Sequence, residues 1–220
     1  MELSEFWTIC SSNGVILELE QLNQFKRYYE ELIYWNEKVN LISRKDLDNI
    51  YERHFVHSLA ILKYVDLKKK AKCLDIGTGG GFPGIPLGIA RNDIKMEMVD
   101  SIAKKIKLTD MFATHTGNRN FSTRNLRAED LANDTKNLKS YDYIFARAVT
   151  RTNRILQWSN KLLKDDGKYV LLKGGKMYDE IDEAREAFPD YNYELIDINI
   201  IGLEWFKQEE KKILVISKQK

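Results

Sequence analysis

Lys72-Cys73-Leu74-Asp75-Ile76-Gly77-Thr78-Gly79-Gly80-Gly81-Phe82-Pro83-Gly84 carries an apolar run with one carboxylate into a turn dense in glycine. Glycine lets a chain turn sharply out of a strand and approach a ligand closely, because no Cβ blocks positive φ or the approach itself. A ligand-binding turn at the end of a sheet strand is therefore expected.

Two registers of this run suggest two ligands. From Gly79, residues Gly79, Gly81 and Gly84 fit G-x-G-x-x-G with Asp100 about 20 residues on, a dinucleotide pattern. From Asp75, residues Asp75, Gly77 and Gly79 fit D-x-G-x-G, the opening of an S-adenosylmethionine pocket. A pyrophosphate is held by free N–H groups at a helix N-terminus, whereas Asp75 adds negative charge and Pro83 removes a donor. S-adenosylmethionine carries a sulfonium and an ammonium, both favoured by a nearby carboxylate. The second register is preferred, and the nicotinamide reading stands as a rival.

Outward from this turn, strand and helix patterns alternate. Strands are expected at 72–76, 95–99, 121–125, 141–146 and 167–172, with helices at 101–115, 151–164 and 176–187. Such alternation is the signature of a parallel sheet wound by right-handed crossovers. Residues 193–201 and 211–217 read as two further strands, joined closely enough to pair antiparallel. A dehydrogenase would continue with a second nucleotide-binding half, and no chain remains for one. Upstream, apolar residues at helical spacing predict a helix over 18–38 and another from Asp46, near its cap, to Tyr64. The expected organisation is an N-terminal helical cap at 1–70 and an α/β domain at 71–220, packed as one unit. The fold class is a Rossmann-like class I S-adenosylmethionine-dependent methyltransferase sheet, mostly parallel with an antiparallel last strand.

Composition narrows the function classes. Thirty-five Lys and Arg against 33 Asp and Glu give a net charge of +2, so any nucleic-acid footprint must be local. Cys10 and Cys73 are expected to be free thiols, in keeping with a reducing, cytoplasmic compartment. No apolar run approaches the roughly 20 residues that span a bilayer, and no membrane partner is expected. No metal site is expected either.

In a doubly wound sheet the ligand lies over the carboxyl ends of the strands. The candidates there are Asp75, Gly77, Gly79, Gly81 and Phe82 after the first strand and Asp100 after the second. Ala128 and Glu129 follow the third, Arg147 the fourth and Lys173 the fifth. Asp100 is placed to accept both ribose hydroxyls or to cap the following helix, and Ala128 and Glu129 to hold an adenine. Arg147 is read as a ligand of the donor's carboxylate or of the acceptor, because a buried unpaired arginine is costly. At i, i+4 and i+7, Arg147, Arg151 and Arg154 are expected to share one helical face, with Lys173 and Lys176 beside it, as a phosphate-tracking patch. Two absences matter. No Asn/Asp-Pro-Pro run follows the fourth strand, as an exocyclic-amine methyltransferase would place it, and no nucleophilic cysteine lies there for carbon methylation. A ring nitrogen with a free lone pair needs neither device, so no certain catalytic residue is named beyond Arg147 and Lys173 as positioning candidates.

Several stretches together resemble one family. They are Trp35-Asn36-x-x-x-Asn40-Leu41, Arg53-His54-Phe55-x-x-Ser58-Leu59, Asp75 through Leu87, Asp100-Ser101-x-x-Lys104-Lys105, Arg127-Ala128-Glu129 and Ala146-Arg147-Ala148-Val149. The chain resembles the ribosomal RNA small subunit methyltransferase G family (RsmG, or glucose-inhibited division protein B, GidB) from about residue 15 to residue 217. The resemblance implies methylation of guanine N7 in 16S ribosomal RNA of the small subunit, with S-adenosylmethionine bound by Gly77, Phe82, Ala128, Glu129 and Arg147. Arg53 and His54 are added as RNA-binding candidates. His57 departs from the family's usual Asp in R-H-x-x-D-S, and Glu210-Lys211-Lys212 from its G-E-R-[HY]. Rival readings are a methyltransferase for a small molecule or protein, and a non-catalytic ribosome-assembly factor.

Overall fold

Strand β1 (Lys72–Ile76) is buried from its second residue onward, as a mostly apolar run between two parallel neighbours must be. The computed structural model describes residues 1–219. The remaining strands are β2 (Lys95–Asp100), β3 (Phe121–Asn125), β4 (Tyr141–Arg147), β5 (Leu163–Gly174), β6 (Tyr191–Asp197) and β7 (Lys211–Lys218). They form one sheet in the order β3-β2-β1-β4-β5-β7-β6. Strand β7 runs antiparallel to both β5 and β6, and the pairs from β3 to β5 are parallel. The order reverses between β1 and β4, which opens a crevice at the strand ends.

Nine α-helices accompany the sheet among the described residues: α1 (Leu3–Ser12), α2 (Leu19–Asn36), α3 (His57–Tyr64), α4 (Gly84–Ala90), α5 (Ala103–His115), α6 (Ala128–Asn133), α7 (Thr152–Ser159), α8 (Tyr178–Ala187) and α9 (Trp205–Gln208). None is long and apolar enough to cross a membrane. Helix α2 begins with a capping box in which the Gln21 side chain accepts from the Glu18 N–H and Glu18 caps Gln21 in return. The sheet's two faces have separate cores. One joins the N-terminal helices to Met96, Met98 and Phe112, and the other packs Ile155, Leu156 and Ile181 on Ile144 and Leu171.

Three sequence expectations change. The helix expected from Asp46 to Tyr64 is instead a 3₁₀ turn (Arg44–Asn49), a π-helical turn (Tyr51–Val56) and then α3. Asp46 is not its cap; Ser43 caps the 3₁₀ turn by accepting from the Lys45 N–H, and the Asp46 carboxylate faces Arg53 and His54. Helix α7 ends at Ser159, not at 164, because the chain turns there to enter β5. Strand β5 starts before Gly167: Leu163 pairs with Tyr141, after which the register jumps to Tyr143 opposite Lys168.

An aromatic chain ties the N-terminal helices to the glycine turn. Phe6 meets Phe25 at 5.1 Å, Phe25 meets Phe55 at 5.2 Å, and Tyr28 stacks on Phe55 at 5.2 Å and meets Phe82 at 5.5 Å. The Tyr28 hydroxyl donates to the Gly80 carbonyl at 2.5 Å, fully buried. Tyr28→Phe leaves that carbonyl without its partner and is expected to destabilise the protein by about 1–3 kcal/mol. Thermal unfolding checks this, and an unchanged Tm contradicts it.

Candidate active site

The glycine turn is built around one carboxylate. Asp75 is completely buried, and its Oδ2 accepts from the Thr78 hydroxyl at 2.6 Å and from the Gly84 N–H at 3.0 Å. Its Oδ1 is buried with no hydrogen-bond partner. Burial pushes the Asp75 carboxyl up to about 7, with the Thr78 and Gly84 bonds opposing that rise. A buried oxygen left unpaired at a turn is a costly feature. Gly77 needs its positive φ of 64°, and a Cβ there would lie 2.7 Å from Val149.

A cleft of about 280 Å³ opens over the ends of β1, β2 and β3. Gly77, Asp100, Ala128 and Glu129 line it, as the strand-end reasoning expected. Asp100 serves the turn and the next helix together: Oδ2 accepts from the Gly79 N–H at 3.0 Å and Oδ1 from the Ile102 N–H at 2.9 Å. Each oxygen keeps a further acceptor site for a hydroxyl. Ala128 and Glu129 open α6, so their N–H groups have no intrahelical acceptor. The apolar walls are Val99, Leu126, Val149 and Trp158, and sequence reasoning missed them. Leu126 directly follows β3 and Val149 closely follows β4, so the strand-end rule carried a signal for both. Trp158 sits inside a helix and gave none.

A second cleft, about 400 Å³, lies over β4 and β5 and shares Val149 with the first. Arg147, Arg151, Lys173 and Lys211 line it, together with His57 and Glu180. Three of these cations are paired. Arg151 makes a two-pronged bond to Glu183, Lys173 donates to Glu180 at 2.6 Å, and Lys211 lies 3.1 Å from Glu209. Burial alone would raise the Glu180 carboxyl, yet the Lys173 ammonium and the Thr152 hydroxyl and N–H hold it below its usual range. Arg147 has no carboxylate within ion-pair reach among the described residues. Its guanidinium lies 4.6 Å over the Phe82 ring and donates to His54 Nδ1 at 2.6 Å. Burial draws it down to about 10, so it stays charged near neutral pH.

The remaining candidates fall outside the two clefts. Gly79, Gly81 and Phe82 shape the turn, and the Phe82 ring packs into the aromatic core. Arg53 and His54 stand behind Arg147, with Arg53 bonded to Glu209. Arg147, Arg151 and Arg154 do not share a helical face: Arg147 ends β4, Ala148 turns the chain at φ 53°, and α7 begins only at Thr152. Arg154 and Lys176 are exposed beyond the cleft. Cys10 and Cys73 are free and buried, and burial raises both thiols, Cys10 to about 12, so neither serves as a nucleophile.

A model of the family described as rRNA small subunit methyltransferase G (GidB) matches residues 21–202. The chain belongs to this family. Relatives bearing the name ribosomal RNA small subunit methyltransferase G include one from Cytophaga hutchinsonii, 38% identical over 205 residues, covering 90% of this chain and 94% of that protein. Another, from Halalkalibacterium halodurans, is 32% identical and covers 100% of this chain and 92% of that protein. Solved structures similar in fold include a methyltransferase in complex with the Trm112 activator from Haloferax volcanii. It has a TM-score of 0.63 at 14% identity and covers 86% of this chain and 98% of that one. The ribosomal protein L11 methylase of Lactobacillus delbrueckii has a TM-score of 0.55 at 16% identity, with 75% and 78% coverage. The family is one of methyltransferases, and the S-adenosylmethionine-type sheet expected from sequence is the fold observed.

Proposed function

We propose that the protein transfers a methyl group from S-adenosylmethionine to N7 of a guanine in 16S ribosomal RNA. The observation that carries this reading is the pair of clefts meeting at Val149, one suited to an adenosine and the other cationic. The residues fit the donor. Asp100 has acceptor sites for ribose hydroxyls, Leu126, Val149 and Trp158 give apolar walls for a purine, and the N–H groups at the start of α6 face its edge. Asp75 Oδ1 has no hydrogen-bond partner and the Arg147 guanidinium has no carboxylate in ion-pair contact, which suits the two ends of a zwitterionic amino-acid tail. When bound, S-adenosylmethionine supplies a methyl group on a sulfonium. Guanine N7 has a lone pair and no proton. Its lone pair would form the new bond to carbon while sulfur keeps the electron pair of the bond that breaks, so the chain would need to supply no base. The chain's task is alignment and exclusion of water. Lys173, fixed by Glu180, and Lys211 present positive charge to guanine O6 or to flanking phosphates. The 1–70 segment acts as a cap that locks the glycine turn through Tyr28 and positions Arg147.

Incubation with labelled donor is expected to label small subunits, or their RNA, from cells lacking the modification. No label in RNA, from protein shown to bind the donor, overturns the proposal. Donor affinity should also depend on pH. An ionised Asp75 favours the donor's cationic groups, and the free carboxyl titrates at about 7. Affinity therefore rises as pH increases through 7 and levels off above it, with proton release on binding below 7. Calorimetry in buffers of different ionisation enthalpy reads this directly. Asp75→Asn should remove the component, and a wild-type profile identical to that variant's contradicts it.

A further inference from the structure

Arg147 reaches the crevice from the end of β4, but two of the groups that orient it come from the N-terminal segment. Its Nη2 donates to His54 Nδ1 at 2.6 Å and its Nη1 to the Arg53 carbonyl at 3.4 Å. An imidazole nitrogen that accepts from a guanidinium must be unprotonated, so the second nitrogen, Nε2, carries the ring proton. That side faces Asp46, whose Oδ2 lies 3.5 Å from Nε2, near enough to favour the proton there although the two are not hydrogen-bonded. The same carboxylate has its other oxygen 3.6 Å from Arg53. The His54 ring is itself buried and packs 4.9 Å from Phe82, whose ring also lies under the guanidinium. The π-helical turn that carries His54 brings the ring to this place, and a straight α-helix would direct residue 54 elsewhere around its axis.

We infer that His54 is a positioning residue, a neutral hydrogen-bond acceptor in its Nε2–H form with the Asp46 carboxylate close to that side, that orients the Arg147 fork toward the donor's carboxylate. The inference rests on the proposed reading of Arg147 as a ligand of that carboxylate. It makes donor binding depend on the docking of the N-terminal segment, although that segment contributes no side chain to the donor cleft. An acceptor without charge suits this place. A carboxylate at 54 would neutralise Arg147 and compete with the donor, whereas an imidazole aims the cation and leaves its charge for the ligand. Protonation of His54 would bring two cations together and remove the acceptor. Burial and the charges of Arg147 and Arg53 oppose it, drawing the imidazole down to about 2.

Calorimetric binding of S-adenosylhomocysteine and donor kinetics to three variants test this. His54→Ala is expected to weaken binding about ten- to a hundredfold, the size of one lost hydrogen bond to a charged group. It should raise KM for the donor more than it lowers kcat at saturating donor. His54→Asn, whose Oδ1 can stand near the place of Nδ1, should recover most of the affinity. The third variant, Arg147→Ala, separates the two layers of the argument. If it binds S-adenosylhomocysteine as tightly as wild type, the reading of Arg147 is wrong. If it weakens binding while His54→Ala does not, only the positioning role fails. Nitrogen chemical shifts of His54 provide a readout that a space-filling role would not move. They should report the Nε2–H form in wild type, and an Nδ1–H form overturns the inference. His54→Asn that binds no better than a folded His54→Ala does so too.

Discussion

Arg147→Ala is expected to reduce methyl transfer about a hundred- to a thousandfold in kcat/KM for the donor, without lowering the protein's stability. The two halves of this result have one origin. Arg147 is a partly buried cation with no carboxylate in ion-pair contact, and the groups that touch it are neutral acceptors and the Phe82 face. Truncating one partner of a buried charge pair costs about 2–5 kcal/mol of binding, which sets the size of the kinetic loss. Folding loses no ion pair and is relieved of a cation desolvated by its surroundings. Arg147→Lys should fall between, because it restores charge without the planar fork. Steady-state kinetics with a thermal-unfolding control measure both halves. Full activity in Arg147→Ala removes the residue from the site. A large fall in Tm makes it a structural cation instead.

Gly81→Ala is expected to be the most damaging single methyl group in the glycine turn. Gly81 has φ 104°, where side chains are strained, and its Cβ would lie 2.5 Å from Ile85 Cδ1 and 2.8 Å from the Tyr28 hydroxyl. Backbone strain and overpacking each cost about 1–3 kcal/mol. Ile85 and Tyr28 are both buried among close neighbours and cannot swing clear. A combined cost of about 3 kcal/mol corresponds to a fall in Tm of roughly 6–12 °C for a chain of this length. Donor affinity should fall as well, since the Gly80 carbonyl is held by the same tyrosine. Differential scanning calorimetry decides it, and a Tm within about a degree of wild type contradicts the packing described.

The fold was readable wherever strand and helix periods alternate. The five strands from Lys72 to Gly174 and the antiparallel pairing of the last two follow from apolar runs and short connections. The strand-end rule placed Gly77, Asp100, Ala128, Glu129, Arg147 and Lys173 in or beside the crevice. What escaped is set by tertiary contacts. The π-helical turn keeps a helical apolar pattern, and its extra residue per turn is favoured by Tyr51 stacking on Tyr29 at 4.7 Å and by His54 reaching Arg147. Neither contact leaves a local mark in the sequence. Arginines at i, i+4 and i+7 suggested a common face, but Ala148 at positive φ breaks the segment before α7 begins. The pairing of Lys173 with Glu180 joins a strand end to the following helix, a contact that no residue period predicts. Glu180 in turn fixes Thr152, so a single carboxylate organises the floor of the cationic cleft.

The absence of any need for a base is the most exposed part of the proposed chemistry, because it commits the acceptor to a ring nitrogen. Both histidines at the crevice fit that commitment. Burial and the nearby cations hold His54 and His57 well below the usual histidine range, so neither changes charge across neutral pH. The direct test is the identity of the methylated nucleoside. Small-subunit RNA labelled by this protein is digested completely, and the labelled nucleoside is identified by chromatography and mass spectrometry. The label is predicted in 7-methylguanosine, at a single position of 16S RNA. Label in an exocyclic-amine, carbon or ribose methylation product would contradict the account.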